Sequence, residues 1–132
     1  MKRFLLVVLM ATLSQGLYAA LTKQVFISFS MPEALISEVL AGAEQHNVTV
    51  ILNGLIKDNM RETFKTIFKL AKKYPNVGVQ IDPTAFEKYH IDAVPAFVVD
   101  DGETFDVIYG NLSVGYALDF IRERGETQGV LS

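Results

Sequence analysis

The stretch Tyr89-His90-Ile91-Asp92-Ala93-Val94-Pro95-Ala96-Phe97-Val98-Val99, with Asp100-Asp101-Gly102-Glu103 directly after it, decides how this chain folds. Ala96 to Val99 is a short unbroken apolar run, which reads as a buried strand. The Asp-Gly pair that follows is a hairpin turn, because aspartate bonds its own backbone and glycine supplies a positive φ. Thr104 to Tyr109 then pairs back on the first strand. Gly110-Asn111-Leu112-Ser113 leads into a last helix capped by Ser113, with Ala117, Leu118 and Ile121 facing inward.

Upstream, the pattern alternates between strand and helix. Val25 to Phe29 is a buried strand, and Ser30 opens a helix: Ser30-x-x-Glu33 has the spacing of a capping box, and Pro32 is tolerated in a first turn. Leu35, Ile36, Val39, Leu40 and Ala43 form one face of that helix, and Asn47 is a left-handed cap after it. Val48 to Leu52 is a second strand, ended by Asn53-Gly54. Asn59-x-x-Glu62 is a second capping-box signature. It starts a helix with Met60, Phe64, Ile67, Phe68 and Ala71 on one face and Arg61, Lys65, Lys69, Lys72 and Lys73 on the opposite side. Tyr74-Pro75-Asn76 stops it. Val77 to Ile81 is predicted as an edge strand, and Asp82-Pro83 starts a short helix that ends near Tyr89. The order β-α-β-α-(β-α)-β-β-α defines an α/β layer architecture. No internal repeat, low-complexity segment or linker divides it.

Residues 1–19 read as a cleaved signal peptide. Lys2 and Arg3 form the positive start, and Phe4 to Leu13 is an apolar run too short to cross a bilayer as a mature helix. Ala19-Ala20 supplies small residues for cleavage after Ala19. A cut after Gly16 and an uncleaved first helix or anchor are the alternatives. Residues 20–132 are then one domain, with its core at about 24–124 and a frayed tail after Gly125. The whole chain has 12 basic and 15 acidic residues. Without Lys2 and Arg3, ten basic residues face fifteen acidic ones, a net charge of −5. That balance argues against nonspecific nucleic-acid binding, which draws its affinity from phosphate neutralisation. There is no cysteine, although an exported domain is in a compartment that permits disulfides. The core alone must hold the fold.

The segment from Tyr89 to Ile121 resembles the second half of thioredoxin-like domains. The shared markers are Ile91-Asp-Ala-Val-Pro95, the apolar strand, the Asp-Gly hairpin and Gly110-x-Leu-Ser113. The resemblance implies a thioredoxin-like fold, a central mixed sheet flanked by helices, with a helical insert before the cis-proline half. It also implies that the Val94-Pro95 bond is cis and that Val94 abuts Ser30 to Pro32. A thiol oxidoreductase of this kind would need a C-x-x-C pair where Ser30 to Glu33 stand, because the attacking group is a thiolate. This tetrapeptide forms none.

A narrower resemblance covers about Phe26 to Leu118. Phe29-Ser-Met-Pro32, Asn53-Gly-Leu55, Gly78-Val-Gln-Ile-Asp-Pro-Thr84 and Ala93-Val-Pro-Ala-Phe97 resemble the TrbC family of periplasmic pilus-assembly proteins of F-type conjugative secretion systems. The Val-Gln-Ile-Asp-Pro-Thr run is the specific part. The resemblance implies a non-catalytic periplasmic factor for assembling the conjugative pilus, partnered by other periplasmic assembly proteins, notably the TraW family. Other pilus-assembly components or pilin are the alternative partners, with direct contact to pilin left open. A thiol-independent chaperone for extended pilin or assembly-protein segments is the rival reading.

Two surfaces are candidates for docking. Ser30, Met31 and Pro32 with Val94 and Pro95 would offer a peptide-binding surface in which Val94 presents backbone groups to an extended segment. A capping box and an inherited proline account for the same residues without any partner. Arg61, Lys65, Lys69 and Lys72 form a basic face suited to an acidic partner, and equally a solvated helix surface. No catalytic residue, metal site or cofactor is expected: His46 and His90 lack ligand spacing, and Asp82, Asp92, Asp100 and Asp101 read as caps and turns.

Overall fold

The computed structural model describes residues 21–127, so the signal segment expected over 1–19 lies outside the described residues. Five strands form one mixed sheet: β1 (Thr22–Ile27), β2 (Thr49–Leu52), β3 (Val79–Ile81), β4 (Ala96–Asp100) and β5 (Phe105–Tyr109). Their order across the sheet is β3-β2-β1-β4-β5. β1 runs parallel to β2, and β2 parallel to β3. β4 is antiparallel to both β1 and β5. The helices are α1 (Glu33–His46), α2 (Met60–Lys73), α3 (Pro83–Lys88) and α4 (Val114–Arg124). α2 and the edge strand β3 stand between β2 and the Val94-Pro95 half, which is the helical insert expected there.

The central strands are apolar throughout because both sheet faces are covered. Val25, Ile27, Val50, Leu52 and Phe97 point to the face covered by α1 and α4, where they meet Ile36, Val39, Leu40, Val114 and Ala117. Phe26, Ile51, Ala96 and Val98 point the other way, toward Phe86 and Tyr89 of the α3 segment. Phe26 meets Phe86 edge-on at 4.9 Å between ring centroids. Behind them the Tyr89 hydroxyl donates to Asp100 at 2.6 Å. Burial pushes Asp100 up, but the bonds from Tyr89 and the Gly102 amide outweigh it and hold the carboxyl below its ordinary value. Burial, then the bond to Asp100, raises Tyr89.

Several expected boundary signals are in place. Asn47 has φ 59° and ψ 46° after α1, Asp82 caps α3 by accepting from the Ala85 amide, and Ser113 caps α4 through the Tyr116 amide. The hairpin turn closes with the Asp101 amide donating to the Thr104 carbonyl. Gly42, in the middle of α1, faces Val114: a Cβ there would lie 2.8 Å from a Val114 methyl. Glycine at that position lets α1 and α4 approach closely.

Three expectations are corrected. β1 ends at Ile27, so Ser28 and Phe29 are loop residues. α1 begins at Glu33 with Pro32 at its cap position and no side-chain cap, so Ser30 and Glu33 form no capping box. The reason is local: Pro32 has an extended ψ of 138° that postpones the helix, while the Ser30 hydroxyl is engaged with that of Ser28 at 2.8 Å. Order also continues past Gly125. Asp106 accepts from the Glu126 amide at 3.0 Å and the Thr127 amide at 2.9 Å, and Thr127 is fully buried. Residues 128–132 lie outside the described residues.

Burial pushes Asp106 up, but the Thr127 hydroxyl and the two tail amides outweigh it and hold the carboxyl below its ordinary value. A carboxylate held low stabilises the fold above its unfolded-state value of about 4, and that contribution is lost as pH falls through the lower folded value. Asp106→Ala should therefore lower the unfolding free energy by about 2 kcal/mol at pH 7, with the difference from wild type shrinking as pH falls below about 4. Urea titrations across pH check this; a difference that stays constant down to pH 2 would contradict it.

Candidate functional site

The loop after β1 is a tight turn held by its own groups. The Met31 amide donates to the Ser28 carbonyl at 3.1 Å, the Ser28 amide donates to the Met31 sulfur at 3.5 Å, and the Ser30 amide donates to the Ser28 hydroxyl at 3.2 Å. Ser30 and Pro32 are exposed and Met31 is half-buried against the α1 cluster.

Val94 and Pro95 reach the same end of the sheet from the other side of β1. The Val94-Pro95 bond is cis. Phe26 pairs with Ala96 in the antiparallel register of β1 and β4, so the chain leaving β1 runs beside the chain entering β4. Pro95 is buried and Val94 half-buried. Val94 packs on the α3-side cluster and Met31 on the α1-side cluster, so these side chains belong to opposite faces of the sheet.

On the β2 side of the loop lies an open cleft of about 500 Å³. Ser28 and Ser30 form one wall, and Asn53, Leu55, Ile56 and Asp58 form the other. It sits beyond the carboxyl ends of the parallel strands β1 and β2, where α/β sheets commonly place their ligands. The far wall is not among the residues singled out as a docking site from the sequence. The signal available for it was the Asn53-Gly54 break after β2.

That wall is fastened by Thr63, another residue the sequence reading passed over. Thr63 is the one buried residue of α2. Its hydroxyl donates to the Asn59 carbonyl and accepts from the Ile56 amide, both at 2.8 Å. The single 3₁₀ turn Ile56–Asp58 is thereby tied to the helix start, where the Asn59 side chain accepts from the Glu62 amide at 3.2 Å.

The site has the makings of a binding surface. A serine nucleophile needs a general base within hydrogen-bond reach. His46 ends α1, about 20 Å along the helix from the loop at its start. The His90 carbonyl accepts from Tyr109 in the segment after α3. The basic residues Arg61, Lys65, Lys69 and Lys72 are all exposed on α2.

The chain has a thioredoxin-like fold. Similar solved structures are dsbF of MTB, with a TM-score of 0.53 and 16% identity over 89% of this chain and 85% of that one, and the N-terminal domain of PilB from N. meningitidis, with a TM-score of 0.57 and 17% identity over 77% and 78%. A thioredoxin-like protein from Aeropyrum pernix matches with a TM-score of 0.52 and 15% identity over 83% and 81%. Such identities establish the fold alone. The family is more specific: residues 25–121 match the F-type TrbC family, the type-F conjugative transfer system pilin assembly proteins, and the chain belongs to it. The periplasmic protein TrbC of Escherichia coli (strain K12) is 36% identical over 105 residues, covering 80% of this chain. This chain spans half the length of that relative.

Replacing Thr63 by the isosteric valine removes the acceptor of the Ile56 amide. Thr63→Val should cost about 1–3 kcal/mol of stability and accelerate hydrogen exchange at Ile56 at least tenfold. Unchanged exchange at that amide would show that the hydroxyl does not hold the cleft wall.

Proposed function

We propose that this protein is a non-catalytic assembly factor for the conjugative pilus of an F-type type IV secretion system, working in the periplasm by docking to other transfer proteins. The observation that carries the reading is the extent of the family match, which takes in the strand core, the Ser28–Pro32 loop and the Val94-Pro95 half together. The periplasmic location follows the E. coli relative and the signal-like N-terminus. No helix among the described residues is long and apolar enough to cross a membrane.

The docking surface is the sheet end built from Ser30, Met31, Pro32, Val94 and Pro95, with the cleft beside it. Three features support this choice. The position is the ligand-binding end of an α/β sheet. Its exposed groups are short and uncharged, which suits close approach by another backbone. With no cysteine in the chain, disulfide exchange has no attacking sulfur, so the thioredoxin-like frame serves recognition. A TraW-family protein is the partner that the family resemblance suggests, and pilin is the second.

Ser30 and Pro32 are both exposed and accept charged side chains without entering the core. Donor cells carrying Ser30→Arg together with Pro32→Glu should make at least tenfold fewer pili and transconjugants, with the variant protein present at wild-type level. Wild-type pilus counts with that double variant would remove this surface from the assembly role. Loss of pili, accompanied by exchanging binding of the purified protein to extended pilin peptides and no stable complex with an assembly protein, would favour the chaperone reading.

A further inference from the structure

α2 carries an apolar row that the described chain leaves uncovered. Of the face expected from the sequence, only Ile67 turns toward the core; Met60, Phe64 and Phe68 are 59%, 57% and 65% exposed. The helix is rotated this way because Thr63 is drawn inward to the Ile56 amide, while Leu70 and Tyr74 pack on the α1 cluster and the Tyr74 hydroxyl donates to the Ser37 carbonyl. Burying two phenylalanines and a methionine would favour the fold through the apolar surface removed from water. This helix forgoes that gain.

Met60, Phe64 and Phe68 recur every fourth residue, and with Ala71 they fill an arc of about 80° on a helix turning about 100° per residue. Arg61, Lys72, Lys65 and Lys69 fill the next arc of about 80° on the side away from the core. The Lys72 ammonium lies 4.8 Å from the Phe68 ring centroid, at the seam between the two rows. Among the described residues the two ion pairs are Lys88 with Asp100 and Arg122 with Asp119, so the basic row pairs with no described carboxylate.

We propose that this face of α2 is a second docking surface, and that its occupant is an amphipathic helical segment of another protein carrying an acidic row beside an apolar row. The charge pattern selects that occupant. The cations form one row on one side of the phenylalanines, which matches a single acidic row on a mating helix. α2 holds five basic residues and one acidic residue. The rest of residues 20–132 carries five basic against fourteen acidic residues, a net charge of −9. That charge repels the body of the domain from an anionic bilayer. A second copy is a poorer fit: on α4, where Tyr116 is exposed, Asp119 is already paired with Arg122, and Glu123 is flanked in sequence by Arg122 and Arg124. The face is built from residues other than Ser30 and Val94, so the inference does not depend on docking there.

The test uses the purified domain and two labelled twenty-residue helical peptides, one with a leucine row flanked by glutamates and one with lysines in place of the glutamates. The acidic peptide should bind at least tenfold more tightly in fluorescence anisotropy, and the preference should weaken with salt. Phe64→Ser with Phe68→Ser should abolish binding. Lys65→Glu with Lys69→Glu should shift preference to the lysine peptide, while Ser30→Arg leaves it unchanged. These positions are exposed, so the variants keep their circular dichroism. Equal affinity for both peptides, or no binding of either, would overturn the proposal. So would preferential binding to phosphatidylglycerol vesicles, or a concentration-dependent dimer that the serine variants dissolve.

Discussion

Everything in this structure hangs on the burial of β1 between two apolar layers. Val25, Phe26 and Ile27 are at most 1% exposed, and their side chains alternate between the α1 side and the α3 side. A one-residue slip of this strand would exchange the two sets, placing Phe26 among the α1 contacts and removing it from Phe86. The neighbours repeat the rule: Ile51 of β2 and Ala96 and Val98 of β4 share the Phe26 side, while Val50, Leu52 and Phe97 share the other. In a chain without cysteine this packing replaces the staple that many small exported domains obtain from disulfides. It also fixes the two ends of the sheet, and thus where the loops after β1 and before β4 meet.

The layered architecture was legible in the sequence because its signals are local. The Asp101-Gly102 turn, the Asn47, Asp82 and Ser113 caps and the apolar runs of β2 and β4 each involve residues a few positions apart. What escaped is set by contacts distant in sequence, or by competition at one position. Ser30-x-x-Glu33 has the spacing of a capping box, but the extended Pro32 delays the helix and Ser28 takes the serine hydroxyl. Asp106 reaches Glu126 and Thr127 some twenty residues on, a clamp no periodicity announces. α2 is the instructive case. Its amphipathic pattern is strong, and such a pattern says that an apolar face exists without saying what meets it. Thr63, with Leu70 and Tyr74 packed on the α1 side, faces inward and leaves the phenylalanines outside.

The sequence singled out Ser30, Met31, Pro32, Val94 and Pro95 as a candidate surface, and the register of β1 and β4 puts their two segments at one end of the sheet. Met31 and Val94 pack on different faces of the sheet. The Asn53–Asp58 wall of the cleft depends on the Thr63 latch and on the β2 connection, neither of which carries a chemical motif. The family match joins the frame of thioredoxin-like proteins to a chain that carries no cysteine.

The central claim is that the protein works in building the conjugative pilus, and the most direct measurement is deletion of its gene in a donor cell, with surface pili and DNA transfer scored together. The account predicts that both are lost and that the intact gene supplied in trans restores both. Normal pilus numbers and normal transfer in the deletion strain would contradict it.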